Sequence, residues 1–332
     1  MPSLNELKGM PQLVCEFANY KSSIQGCSKK TVSEYILDLR TFFRYLCAVR
    51  EGVSPESEDF VNIDVSSVDI NFIKSICAED IYEFLMYSGN VRKNLWSAKA
   101  RKLSAIKAFF KYLTLKRHLL EENPAANIES PKAKKTLPKF LTLEESLHLL
   151  DTVKSDTLSR NVLRDYTIIT LFLNCGMRVS ELVGINLGDL DSELRSMRVT
   201  GKGNKERMIY LNEACRASLS EYLEHRAQKY KNVTEKALFI SERCTRMSVQ
   251  SVQWMVYKYL KMAGYESRNL SVHKLRHTAA TLMYQTGQVD VRVLKDILGH
   301  EQLNTTQIYT HVSNESMQQA MEQNPLAKIK PE

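Results

Sequence analysis

The sequence predicts a mainly α protein with a small β-sheet, arranged as an N-terminal helical bundle followed by a larger, mostly helical C-terminal domain. Three observations carry this expectation. Apolar residues recur at three- and four-residue spacing through most of the chain. One segment, 196–211, instead alternates around a glycine-containing turn. A stretch rich in proline and lysine separates the two halves.

In the first half, 29–50 places Val32, Tyr35, Ile36, Leu39, Phe42, Phe43 and Leu46 on one stripe and keeps Lys30, Arg40 and Arg44 off it. The acidic run 51–70, with Pro55, reads as a loop, and 79–87 as a short helix. In the helix expected over 97–117, Ser97 is the candidate N-cap and Leu103, Ile106, Phe110 and Leu113 form the core stripe. Lys99, Arg101, Lys102, Lys107 and Lys111 surround that stripe. Pro124, Pro131 and Pro138 then stiffen a segment that carries Lys132, Lys134, Lys135 and Lys139. The expected division is a helical domain over 1–130, a basic linker over 131–140 and a second domain over 141–332.

The second half predicts helices over 142–154, 160–174, 178–187, 213–229 and 248–263, with a hairpin turning at Gly201-Lys202-Gly203-Asn204. Beyond residue 270 the chain reads SVHKLRHTAATLMYQTGQVDVRVLKDILGHEQLNTTQIYTH. Gly287 and Gly299 are expected helix stops. His273 and Arg276 are three residues apart, so they share a helix face, here expected to look toward solvent, while Leu275, Ala279 and Leu282 anchor the helix.

Composition bounds the function. The apolar content is 43% and the charged content 25%, ordinary for a soluble globular chain. No apolar run approaches the ~18–20 residues of a membrane span, and the N-terminus lacks the order of a signal peptide, so a cytoplasmic location is expected. Seven cysteines without a CxxC indicate neither a disulfide framework nor a zinc ribbon. The net charge of +8 is concentrated: residues 92–139 alone carry +10 and the remainder −2. Such a block suits a polyanion, and on charge alone a solvated lysine-rich face is as good a reading.

Single pieces of the second half say little. Arg178, at a helix start after Gly176, is by itself most simply a surface arginine. Lys202 between two glycines is most simply part of a polar turn, and no Walker A pattern is present. His273 and His277 have the spacing of a zinc pair, but HKLRH puts Lys274 where the metalloprotease motif needs glutamate, so no metal and no cofactor is expected. Cys175 reads as core. Together the pieces say more. Two arginines, a lysine and histidines surround one tyrosine, Tyr309, without a carboxylate cluster to hold Mg²⁺. A cationic set suits a pentacoordinate phosphorane, and a positive field is what a tyrosine of pKa ~10 needs to act as a nucleophile.

The ordered series GMRVSEL, GKGNKER, HKLRHT, LGH and IYTH resembles the tyrosine recombinase (phage integrase) family, and within it the Xer branch most. The resemblance spans nearly the whole chain and implies a core-binding, SAM-like DNA-binding domain, a linker and a tyrosine-recombinase catalytic domain. It implies a site-specific DNA recombinase working without metal or ATP through a 3′-phosphotyrosine. Arg178 and Arg276 would clamp the scissile phosphate. Lys202 would protonate the leaving 5′-oxygen, His273 would act as general acid/base, His300 would hydrogen-bond the phosphate and Tyr309 would attack. Lys99, Arg101, Lys102, Lys107, Lys111, Lys132, Lys134 and Lys135 would contact DNA. The target would be double-stranded DNA with two half-sites, bound by a tetramer of this chain or of this chain with a related recombinase. After Tyr309, Asn314 is a candidate cap and Met317, Ala320 and Met321 an apolar stripe ended by Pro325. A helix this short must dock on something, and the resemblance implies a neighbouring catalytic domain. A type IB topoisomerase-like enzyme and a DNA-binding protein without catalysis are the rival readings. Chromosome-dimer resolution and mobile-element movement are both open as roles.

Overall fold

The computed structural model describes residues 4–131, 139–231, 233–285 and 290–299, apart from the side chains of Leu4, Asn5, Lys202 and Val291. It divides into two compact units, Met1–Lys135 and Thr136–Glu332, and has the mainly helical architecture with a small sheet that the sequence predicts. Lys132, Lys134, Lys135, Gly287, His300, Tyr309 and the tail helix expected from Asn314 lie outside the described residues.

The first unit holds α1 (Leu4–Leu7), α2 (Gln12–Asn19), α3 (Lys29–Glu51), α4 (Ile70–Lys74), α5 (Ala78–Asn90) and α6 (Trp96–Leu115). Helix α3 starts where Ser28 Oγ accepts the Thr31 N–H at 3.2 Å, and it stops at Gly52 in the left-handed conformation, φ 71°. The expected stripe from Val32 to Leu46 is buried, and Tyr35 is its half-buried margin. Phe109 of α6 meets Phe43 and Phe17 edge-on at 5.7 and 5.5 Å, which ties α2, α3 and α6 into one aromatic core. Two details differ from expectation. Helix α6 begins at Trp96 behind an extended Leu95, so Ser97 lies inside the first turn rather than capping it. The run 51–70 is not all loop: buried Phe60 seats a 3₁₀ turn over Glu58–Asn62.

The second unit holds α7 (Leu143–Lys154), α8 (Val162–Cys175), α9 (Val179–Gly184), strands β1 (Ser196–Thr200) and β2 (Glu206–Tyr210), α10 (Glu213–Lys229), α11 (Val249–Met262), α12 (Val272–Gln285) and α13 (Val291–Leu298). Thr142 and Glu145 cap α7 reciprocally, with N–H···O distances of 3.2 and 2.8 Å. Helix α8 is buried over most of its length, from Thr167 to Leu173 without a break, and is packed by α7, α10 and α12. Cys175 is core, its Sγ 3.8 Å from that of Cys215. The helix expected over 178–187 is cut short at Gly184. Beyond it Ile185 O accepts from Leu238 N–H at 2.9 Å and Leu187 N–H donates to Lys236 O at 2.8 Å, which pulls the backbone extended. The hairpin forms as expected: β1 and β2 pair antiparallel from Ser196 opposite Tyr210 to Thr200 opposite Glu206, and Lys202 lies in the turn.

Candidate active site

The site is built where α8 ends. Gly176 closes that helix in the left-handed conformation, φ 57°. A Cβ there would sit 2.9 Å from Leu298 Cδ2 and 3.5 Å from Ala279 Cβ, so both the turn and the close approach of α12 and α13 require glycine. The chain reverses and delivers Arg178 to the N-cap of α9. There its own N–H donates to Glu181 Oε2 and its Nη1 to Glu181 Oε1, both at 2.7 Å. The Arg178 N–H is thus engaged within the protein. Glu181 itself is fully buried, a charge tolerated because donors meet both of its oxygens.

Helix α12 supplies His273 and Arg276. A cleft of about 290 Å³ is lined by Arg178, His273 and Arg276 together with Gln253, Tyr257 and Ser180. Three of the six expected catalytic residues therefore meet at one opening. A larger hollow of about 840 Å³ exists in the first unit, beside Cys77, Tyr82 and His118, but it gathers no pair of arginines, and chemistry rather than volume selects the smaller one. The expectation that Arg276 points to solvent is wrong: it is only 2% exposed. Its Nη1 donates to Gly176 O at 2.7 Å and its Nη2 to Leu298 O at 2.6 Å, so it is a buried fork joining the ends of α8 and α13 while still facing the cleft. His273 does reach solvent, with its ring edge-on to His277 at 4.7 Å. Crowding by the surrounding protein, and after it the charges of Arg276, Lys274 and Arg178, hold its pKa below the ordinary 6.5. The ring is then neutral near pH 7, the state in which imidazole accepts a proton.

The Lys202 turn abuts this site from the hairpin side. A Cβ on Gly201 would stand 3.4 Å from Glu181 Oε1 and 4.0 Å from Arg178 Nη1. Gly299 ends α13 in the left-handed conformation, φ 63°, as expected of a stop, and its carbonyl accepts from Arg178 Nη2 at 2.8 Å. Among the described residues, Glu181 and Arg207 are parts of the site that reading the sequence for phosphate chemistry missed. Both lie inside the motif strings GMRVSEL and GKGNKER. Two signals were available: Glu181 has the i+3 spacing of a reciprocal cap, and Arg207 shares strand parity with the buried Ile209.

On α6 the basic residues separate. Lys111 is exposed, and Lys99 and Lys107 are half-buried. Arg101 is exposed but paired to Glu34 at 2.7 Å and Asp38 at 2.5 Å. Lys102 departs from its expected place on the DNA face. It is 7% exposed, and its Nζ lies 3.2 Å from the carboxylate of Asp38, which is 1% exposed on α3. A carboxylate that deep needs a cation beside it, so Lys102 is an internal ion pair and not a phosphate contact. Burial pushes the Asp38 pKa up, and Lys102 and Arg101 pull against it.

Residues 139–316 match the model of the phage integrase family. The chain is 45% identical to a tyrosine recombinase XerC of Caldanaerobacter subterraneus subsp. tengcongensis, over 98% of this chain and 90% of that one. It is 34% identical to a tyrosine recombinase XerD of Proteus mirabilis, over 88% and 86%. Among solved structures it shares the fold of a XerH site-specific recombinase bound to its difH substrate, with a TM-score of 0.67, 23% identity and coverage of 93% of this chain and 84% of that one. The match over the region that holds the arginine cleft, together with likeness to the Xer recombinases along almost the full length, makes this chain a member of the phage integrase family, the tyrosine recombinases.

Proposed function

We propose that this tyrosine recombinase cuts and rejoins double-stranded DNA at a two-half-site target, with Arg178, Lys202, His273, Arg276, His300 and Tyr309 as its catalytic set. The observation that carries the reading is the convergence of Arg178, Arg276 and a neutral-leaning His273 on one cleft whose nearest carboxylate is saturated by arginines. Such a cleft presents donors to a phosphodiester and no acidic cluster to repel it. Tyr309 Oη attacks the phosphorus, His273 takes the phenolic proton, and the bond from phosphorus to the 5′-oxygen breaks. Lys202 gives its proton to that oxygen, and Arg178 and Arg276 hold the non-bridging oxygens. The 3′-phosphotyrosine retains the bond energy, so attack by another 5′-hydroxyl rejoins the strand without ATP.

The first unit serves as the core-binding domain, and both units contribute to binding DNA. The protein acts in the cytoplasm. Among the described residues no helix is long and apolar enough to cross a membrane. The likeness to XerC and XerD proteins favours chromosome-dimer resolution over movement of a mobile element. The test is to sequence the DNA bound by the protein in cells, place two copies of the recovered site on a supercoiled plasmid and follow its topology in the presence of EDTA. Resolution into two circles only when both sites are present supports the proposal. Relaxation of plasmids without the site supports a topoisomerase-like enzyme instead.

Three further results are expected. Changing Lys99, Lys107 and Lys111 together to glutamine weakens DNA binding and flattens its salt dependence, by ~0.9 in the log–log slope for each phosphate no longer neutralised. Lys102→Met instead leaves the slope unchanged and lowers folding stability by roughly 2–3 kcal/mol, less than the ~3–5 of a fully orphaned buried charge because Arg101 still pairs Asp38. Gel-shift titration and thermal melting separate the two. Deleting residues 314–332 spares binding to a single half-site but removes cooperative filling of a full site, and strand exchange with it. Full-site titration that stays cooperative in the truncated chain would show that the tail folds on its own domain.

A further inference from the structure

Three arginines hold the end of α13. Its last carbonyls are taken in succession: Ile297 O by Arg207 Nη1 at 2.9 Å, Leu298 O by Arg276 Nη2 at 2.6 Å and Gly299 O by Arg178 Nη2 at 2.8 Å. Arg276 and Arg178 belong to the proposed phosphate clamp. Arg207 does not line the cleft, and nothing in the chemistry of strand cleavage asks for it. Its second nitrogen, Nη2, donates to Glu181 Oε2 at 2.9 Å, and Glu181 in turn grips Arg178 by side chain and backbone. The Arg207 side chain is 18% exposed and the Glu181 side chain it meets is fully buried. The fit is close: a Cβ on Gly299 would stand 2.8 Å from Arg207 Nε, so the residue that precedes His300 must be glycine partly because Arg207 lies against it.

Arg207 also belongs to β2, opposite Val199 of β1, in the hairpin whose turn carries Lys202. One side chain thus touches three parts that the reaction must bring together. These are the hairpin with Lys202, the Glu181–Arg178 pair, and the helix end that leads into His300. Only a planar fork with two donor edges reaches a carboxylate and a carbonyl at once, and a lysine offers a single donor centre.

We infer that Arg207 is a positioning residue for strand cleavage, bridging Glu181 to the end of α13 so that Arg178, the Lys202 turn and the segment entering His300 are held in one register. The inference rests on the proposed catalytic set above. It acts through Arg178 and α13, not by contact with the phosphate. Loss of the bridge therefore slows the chemical step and leaves DNA affinity nearly intact.

The test uses the full-length chain with Arg207→Met, which keeps the aliphatic stem, Arg207→Lys and Glu181→Gln. Single-turnover cleavage of a nicked suicide substrate gives a rate and an amplitude, and half-site gel shifts give affinity. Arg207→Met lowers the rate about 10- to 100-fold, the scale set by small misplacements of reacting groups, with adduct amplitude and half-site affinity within twofold of the parent. Arg207→Lys recovers only part of the rate. Arg207→Met and Glu181→Gln combined cost much less than the product of their separate effects, because both break the same bridge. A rate within twofold of the parent in Arg207→Met overturns the inference. So does full recovery in Arg207→Lys, multiplicative effects in the double variant, or a fallen amplitude at unchanged rate, which marks a misfolded fraction. A second readout does not need cleavage: hydrogen exchange of the peptide covering Val291–Gly299 quickens in Arg207→Met while that of α8 holds. Unchanged protection there overturns the bridge even if the parent forms no adduct, whereas absence of adduct in the parent counts against the catalytic set alone.

Discussion

Arg276→Ala reduces single-turnover strand cleavage ~10²–10³-fold, the usual cost of one missing donor to a charge that develops in the transition state. It also lowers the melting temperature, because two carbonyls lose their partner. Gly176 O and Leu298 O receive the Arg276 fork at 2.7 and 2.6 Å inside the protein. An unsatisfied buried group costs ~1–3 kcal/mol, so the combined penalty is a few kcal/mol. Arg178→Ala gives a comparable loss of rate with a smaller loss of stability. The Arg178 side chain is 35% exposed, and the Glu181 carboxylate it leaves behind still has Arg207 at 2.9 Å. The contrast between the two arginines is the discriminating part. Equal melting temperatures for the two variants would mean that Arg276 is not the internal fork described here, and wild-type rates would remove either residue from the clamp.

Lys202→Ala slows cleavage of an ordinary phosphodiester ~10²–10⁴-fold, the contribution typical of a general acid. On a substrate with sulfur in place of the bridging 5′-oxygen the variant cleaves nearly as fast as the parent, since a thiolate leaves without a proton. The Arg276→Ala defect is not rescued on the same substrate, because its role is charge on the non-bridging oxygens. The position of the turn supports this division: a Cβ on Gly201 would stand 3.4 Å from Glu181 Oε1 and 4.0 Å from Arg178 Nη1, which puts the turn beside the clamp arginine. If the sulfur substrate restores nothing to Lys202→Ala, the proton comes from elsewhere.

Periodicity carried most of the architecture because most elements are local in origin. The stripe of α3, the largely buried α8, the alternation of β1 and β2 and the glycine stop of α13 each follow from spacing and one or two special residues. Burial of charge is not local, and there the reading by helix face failed. Lys102 sits on the basic side of α6 by sequence, and only α3 brings the Asp38 carboxylate that draws it inward. Arg276 shares a face with His273, yet its long stem lets the guanidinium turn back to the carbonyls of α8 and α13. Arg178, His273 and Arg276, for which we propose roles at the phosphate, were readable as a constellation of types, and the structure brings them to one cleft. The groups that orient them were not, since Glu181 and Arg207 act on other side chains and carry no signature of phosphate chemistry by themselves. Ser97 shows a smaller version of the same limit: a good capping residue is passed over when the chain enters its helix two residues earlier, at Leu95.

Strand cleavage as proposed depends on a covalent bond between DNA and Tyr309. The direct measurement is to incubate the full chain with a nicked suicide substrate in EDTA, resolve the denatured product by electrophoresis and map the DNA-linked peptide by mass spectrometry. We expect a metal-independent adduct on the peptide containing Tyr309, joined to a 3′-phosphate, and its complete loss in Tyr309→Phe with half-site binding retained. An adduct that persists in Tyr309→Phe, maps to another residue, or disappears on chelation of metal would contradict the account.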